Sequence, residues 1–315
     1  MTLTRSFGGR SALRFAAAAL LIAVTAHAAA AQRGRRVSRD ARSEIDTTFA
    51  FDKNGTVTVN VPNGDIVIAG TTGNQIHIRA ESESDDLRVD ASASSVMIQM
   101  SNHDGSAQLT VPQGVRVIVQ SRSGDVTVRG THGEVEVHGT SGDVNIDDVV
   151  GRLDVSNLSG DITVSNVAGN GDVATTGGDV KFTNVRGDLG IGTVSGEIEL
   201  RGITAKNVRA KTTSGDVTFD GLIDPTGRYE FATHSGDVHL HVQRDASAQL
   251  TVSTWNGGID SDFPITLRPG EHGIGSESSK RFTFVIGGGA ARVTAETFSG
   301  DIAISANGRG ASVRP

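Results

Sequence analysis

The chain has no cysteine, one tryptophan, one tyrosine and only six prolines in 315 residues. Without cysteine it can form no disulfide, offer no thiolate to a metal and carry no lipid on a cysteine. Aromatic residues make up 4 % of the chain. A thick globular core draws on rings that each bury about 150–250 Å², so this scarcity points to a thin core. No apolar run reaches the roughly 20 residues that span a bilayer as a helix. The longest, Phe15–Val24, has about ten.

That run follows Arg5, Arg10 and Arg14 and precedes the small residues Ala26 to Ala31. Basic head, short apolar stretch and small-residue cleavage site are the layout of a signal peptide. Residues 1–31 are therefore expected to be removed, leaving an exported mature chain with no transmembrane segment, bound for the periplasm, the cell surface or the medium. The net charge of −7 argues against nucleic acid as the main partner. One basic cluster, Arg33, Arg35, Arg36, Arg39 and Arg42, falls in a stretch read as a solvated linker over 32–48.

What the chain has in abundance is glycine, 40 residues of it, and the glycines repeat. Ser-Gly-Asp-Val and its close variants place glycine at Gly124, Gly142, Gly160, Gly178, Gly196, Gly215, Gly236 and Gly300, with Asn-Gly turns at Gly64 and Gly257. From Gly124 to Gly257 the steps are 18, 18, 18, 18, 19, 21 and 21, and the last step, to Gly300, is 43. Weaker copies at Gly133, Gly151 and Gly187 lie halfway between, with Gly171 offset by two, so two half-units make one period. After each turn apolar residues alternate, as in Val126 and Val128, Val144 and Ile146, Ile162 and Val164, Val180 and Phe182. Such alternation marks strands with one inward face.

The predicted fold is all-β: a parallel β-solenoid of about 18–21 residues per coil, two short strands per coil, with irregular opening strands at the N-terminus. The solenoid is expected over 49–305, widening after Gly196, with a tail over 306–315. Successive coils are expected to stack in chain order, the 43-residue step holding two further coils. Glycine suits the turns because it takes positive φ without a Cβ penalty, and the Ser before it and the acid after it can bond turn amides.

Three stretches resemble the bacterial "putative adhesin" family, a β-solenoid domain of unknown function. Gly55–Ile68 is similar to that family's opening hairpin and first coil, and Leu109–Val126 to its join with the regular coils. Asn256–Phe263 and Gly287–Gly289 before Thr297–Ile302 are similar to its closing segment. The resemblance implies binding at the cell envelope and supplies no catalytic residues.

Candidate chemistry is sparse. The turn acids Asp125, Asp143, Asp161, Asp179, Glu197, Asp216, Asp237 and Asp301 should form a column about 5 Å apart, its repulsion offset by turn amides, hydroxyls or cations. One acid per turn is a poor match to the six to eight oxygens that calcium takes, so capping is the expected role. His239 and His241 share a strand face with His234 nearby, and His132 and His138 lie on adjoining half-coils, but spacing fixes no third ligand and outward, solvated histidines are expected. No Gly-x-Ser-x-Gly, His-Glu-x-x-His or phosphate loop is present. Asp260 and Asp262 with Arg268 offer the nearest match to a lyase-like set, and Gly287–Gly289 reads as a tight turn. Trp255, Phe263, Phe282, Phe284 and Phe298 are expected to fill the wider C-terminal core. The composite expectation is a non-catalytic envelope protein without cofactor or metal site, whose partner is an unknown envelope protein or polysaccharide. The rival is a carbohydrate-active β-helix enzyme, a lyase or hydrolase.

Overall fold

A computed structural model describes residues 43–84, 86–101, 104–264 and 280–307. The signal segment, the arginine cluster, Arg268 and residues 308–315 of the tail lie outside the described residues. Every regular element in the described part is a strand.

In the regular coils each strand pairs in parallel with the one 18 residues on, residue for residue. Val126, Val144, Ile162, Val180 and Ile198 stand in register. So do Val128, Ile146, Val164, Phe182 and Leu200. The opposite wall is built by Val117, Val135 and Leu153, and by Val119, Val137, Val155, Val173 and Ile191. All of these are buried. A third inward column, Val149, Val167, Val185 and Ile203, closes the corner between the walls. At that corner the backbone turns left-handed at Gly130, Asp148, Asn166, Asn184 and Gly202, one per coil. Gly and Asn tolerate that region best, and the Asn184 amide donates to Asn166 at 3.3 Å.

The core is one residue deep on each wall, so size must match across it. Gly171 faces inward, and a Cβ there would lie 3.2 Å from Leu189 and 3.7 Å from the Phe182 ring, which together fill the gap. The half-period column is carried by Gly133, Gly151, Gly169 and Gly187, each abutting the backbone of the one before, which places Gly169 rather than Gly171 in it. Where the repeat lengthens, Phe219, Phe231 and buried Tyr229 enter the core, with ring centroids 5.0 and 5.9 Å apart. The Tyr229 hydroxyl donates to the Ala205 carbonyl at 2.6 Å and accepts from the Asp224 amide at 2.8 Å, pinning the extra residues to the body.

Both ends depart from chain order. Thr56–Asn63 pairs in parallel with Ser95–Gln99 on one side and Arg116–Ser123 on the other. Ile66–Thr71 lies likewise between Gly105–Pro112 and Val126–Arg129. The stretch expected to open as a hairpin is thus a full coil, with a later coil outside it. At the other end Ala291–Ser299 pairs with both Val217–Ser235 and Ala248–Asn256, and Ile302–Asn307 with Val238–Gln243 and Ile259–Ser261. The Gly300 coil is therefore inserted between those of Gly236 and Gly257, and the 43-residue step does not hold two further coils in series. Antiparallel strands finish each end: Gln75–Ser82 and Arg88–Ala91 at the first, Lys280–Ile286 at the second. They cover the parallel edges that would otherwise invite pairing with another chain.

The folded part begins before the boundary read for the linker. Ser43–Ala50 is a strand, antiparallel to Gln75–Ser82, because Ile45, Thr47 and Phe49 alternate on its more buried face. The last strand likewise runs two residues past 305.

Candidate binding face

The Ser-Gly-Asp corner is the most regular feature of the surface. Its glycines form one column in the order Gly105, Gly64, Gly124, Gly142, Gly160, Gly178, Gly196, Gly215, Gly236, Gly300 and Gly257. A Cβ on any after the first would lie between 1.6 Å (Gly64) and 2.4 Å (Gly124) from the carbonyl oxygen of the glycine before it. Positive φ, 111° at Gly160, is thus only half of the requirement. The other half is that two backbones approach where no side chain fits.

Buried hydroxyls and one amide lie just inside this column. Asn157 donates to the Gly142 carbonyl at 2.9 Å, Thr233 to Gly215 at 2.9 Å, Thr297 to Gly236 at 2.9 Å and Thr254 to Gly300 at 3.0 Å. Thr212 donates to Gly196 at 3.2 Å. A buried carbonyl must be paired, and these side chains pair it.

The acids just after the glycines form the expected column, but each serves its neighbour. The Asp125 carboxylate accepts from the Asp143 amide, Asp143 from Asp161, and Asp161 from Asp179, each at 2.9 Å; Asp179 accepts from Glu197 at 2.8 Å. Beyond a gap the pattern resumes with Asp216 accepting from Asp237 at 2.8 Å, Asp237 from Asp301 at 2.7 Å and Asp301 from Gly258 at 2.7 Å. The gap is Glu197, whose longer side chain does not bond the Asp216 amide. Partial desolvation, then the carboxylates of Glu199, Asp216 and Asp179, push its pKa above the ordinary 4.5. Among the described residues no three His, Asp or Glu side chains converge as metal ligands.

On the outer side of the same corner lies a column that sequence reasoning missed. One residue before Ser141, Ser159, Gly177, Ser195, Ser214, Ser235, Ser299 and Asn256 come Thr140, Leu158, Thr176, Val194, Thr213, His234, Phe298 and Trp255, all exposed. Seven large apolar side chains are exposed among the described residues, and four of them, Leu158, Val194, Phe298 and Trp255, stand in this single file. Scattered exposure is ordinary; concentration in one column is not. The rings of His234 and Phe298 stack with centroids 4.8 Å apart and planes at 11°, and Trp255 lies on Phe298 at 5.9 Å and 9°. Of the five late aromatics expected in the core, Phe284 is buried and Phe263 and Phe282 are half-buried, whereas Trp255 and Phe298 stand outside.

The two walls carry charged ladders. Arg116 pairs with Glu134 at 3.3 Å and Glu136 at 3.1 Å, Arg152 with Asp172 at 3.2 Å, Lys181 with Glu199 at 2.9 Å, and Arg201 with Glu199. His138 bridges Ser156 at 2.6 Å and Glu136 at 2.7 Å, an array with the atoms of a hydrolytic triad. Its hydrogen bond to Glu136, followed by that from Arg116, holds the Glu136 carboxyl below its usual range. The amides nearby are spent on the ladder, Gly139 on Ser156 and Asn157 on Ala174, so they cannot stabilise an oxyanion. His241 bonds Ser305 at 2.5 Å; Asp262 accepts from the Ala306 amide at 3.2 Å, and Asp260 pairs in register with Ala303.

No protein with a curated description matches the sequence. Among solved structures the chain is similar to one from Bacteroides fragilis described as a "putative adhesin", at 12 % identity over 84 % of this chain and 99 % of that one, with a TM-score of 0.36. A "putative adhesin" and a "putative lipid binding protein" of Parabacteroides distasonis each share 9 % identity. They cover 84 % and 85 % of this chain and 97 % and 98 % of theirs, both at a TM-score of 0.37. The sequence profile of the Toastrack DUF4097 family matches residues 24–171 and again 155–305, so nearly the whole chain lies within one or other match, and the chain belongs to the Toastrack DUF4097 family.

Proposed function

We propose that this chain is a non-catalytic, exported binding module of the cell envelope, and that the outer column from Thr140 to Trp255 is its contact surface. The observation that carries the reading is the concentration of exposed apolar and aromatic side chains in that one column. It stands on a scaffold whose backbone is spent on coil-to-coil bonds, which hold successive side chains in fixed register. Such preorganisation lowers the cost of binding. The envelope assignment rests on the signal-like N-terminus. The ring stack favours recognition over chemistry, because it offers shape and apolar area and no proton donor or acceptor poised for transfer besides His234.

The test is capture from envelope extracts by the mature chain, with Phe298→Ala and Leu158→Ser as comparisons. Both positions are exposed, so both variants should melt with the parent. Capture that weakens in both supports the reading; capture indifferent to both overturns it. The rival enzyme reading is tested by incubating the chain with soluble polysaccharides, where new reducing ends that disappear in His138→Ala would decide for an enzyme, and an accompanying unsaturated product would mark a lyase rather than a hydrolase.

A further inference from the structure

The outer column restricts what it can hold. Its length, seven coil steps of about 4.8 Å, is roughly 34 Å, but it is one side chain wide. Exposed serines, Ser141, Ser159, Ser195, Ser214, Ser235 and Ser299, run along one flank. A stable interface between folded proteins needs about 800 Å² on each partner, more apolar width than a single file provides. A second copy is disfavoured further, because two such corners face to face would bring two carboxylate columns together.

An extended peptide needs main-chain partners. The carbonyls of Thr140, Leu158, Thr176, Val194 and Thr213 already accept from the amides of Ser159, Gly177, Ser195, Ser214 and Ser235 in the next coil. Charge removes another class. The carboxylates of Asp143, Asp161, Asp216, Asp237 and Asp301 follow the serines by two residues. A polyanion or an anionic lipid surface would meet them at a separation where salt screens only partly.

What fits is long, thin and uncharged, with apolar faces and hydroxyl groups recurring along its length. Resting on the binding reading above, we infer that the ridge takes a linear, neutral polysaccharide lying lengthwise across the coils. The exposed outer side of the His234, Phe298 and Trp255 stack supplies apolar contact for the C–H groups of the sugars. Leu158 and Val194 continue that contact, and the serines supply hydroxyls for the sugar hydroxyls at every coil but those of Gly177 and Asn256. The three-ring stack is already ordered, so little side-chain freedom is lost on binding.

Trp255 is the only tryptophan in the chain, so intrinsic emission reports on this ridge directly. The full mature chain would be titrated with cello-oligosaccharides of increasing length. It would also be run through native gels containing hydroxyethylcellulose, glucomannan or, as the anionic control, alginate. The expected result is a Trp255 emission shift that tightens with oligomer length, with retardation by a neutral polymer and none by alginate. Phe298→Ala should weaken binding about tenfold, the loss of one well-packed aromatic contact, and Leu158→Ser should weaken only the longer oligomers. Retardation by alginate equal to that by the neutral polymers, or affinity independent of length, would overturn the inference. Failure of every neutral polymer, with envelope capture still dependent on Phe298, would sink the glycan assignment and leave the binding reading standing. Capture independent of both Phe298 and Leu158 would sink both.

Discussion

The carboxylate of Asp161 accepts a hydrogen bond from the backbone amide of Asp179 at 2.9 Å, one coil and 18 residues away. The turn acid therefore ties its own coil to the next instead of only ordering its own turn. Asp161→Asn keeps the acceptor oxygen and eases repulsion from Asp143 and Asp179, so stability should change by less than about 1 kcal/mol. Asp161→Ala removes the acceptor and should cost about 1 kcal/mol in urea unfolding. If the column is a capping ladder, calcium and magnesium at equal ionic strength should shift the melting temperature equally. A calcium-selective rise would show it to be an ion site instead.

Glu197 breaks the ladder and should shape the acid response. Its folded-state pKa is raised above 4.5, so its ionised form opposes folding, and that opposition is relieved as pH falls through the raised value. Hydrogen bonds from His138 to Glu136, from Asn207 to Asp188 and from Lys211 to Glu230 hold these three carboxyls below their ordinary range. They stabilise above their ordinary range, and that contribution is lost as pH falls through their folded-state values. The effect of this one residue should be visible: Glu197→Gln should flatten any gain in melting temperature as pH falls from 7 towards the ordinary glutamate value of about 4.3, while leaving the loss at lower pH intact. Glu197→Asp should restore the bond to Asp216 and raise stability by about 0.5–1.5 kcal/mol.

Gly160→Ala and Gly192→Ala separate the two demands on glycine. A Cβ at Gly160 would sit 2.2 Å from the Gly142 oxygen with φ at 111°, whereas at Gly192 it meets nothing within 4 Å. The first change should be severely destabilising, and the second neutral or stabilising by about 0.4–1 kcal/mol through the unfolded chain. Equal melting temperatures for the two variants would contradict the column geometry.

Val144 and Thr163 test the wall. Val144 lies buried between Val126 and Ile162, and Thr163 lies on the outer side between Asn145 and Lys181. Val144→Asp places an unpaired charge in a core one residue deep and should abolish cooperative folding; Thr163→Asp, beside Lys181, should change stability by less than about 0.5 kcal/mol. Circular dichroism against urea compares them directly.

The interior of this fold is legible from the sequence because it is periodic: a Val or Ile every 18 residues can hardly do anything but stack. The insertion of the Gly300 coil is not legible. A 43-residue gap fits two coils in series as well as one excursion and return, and like turns pair equally well with either neighbour. The outer column was hidden for another reason. At the corner two successive residues, such as Leu158 and Ser159, both face outward, which breaks the alternation by which inside and outside are told apart. Trp255 and Phe298 therefore read as core. The left-handed corner did leave a signal, Gly130, Asp148, Asn166, Asn184 and Gly202 at intervals of 18, hidden among other polar residues because only two of the five are glycine.

The inserted Gly300 coil also sets the order in which the molecule can be finished. The Gly257 coil makes its parallel pairs only with residues 291–307, although it precedes them in the chain. During synthesis or export it must wait unseated until the strands Ala291–Ser299 and Ile302–Asn307 have emerged. A chain ended before residue 291 should therefore lose two coils and leave Val238 and Leu240 uncovered. The Ile302–Asn307 strand works as a keystone: a chain that stops short of it is marked for proteolysis by its own open end.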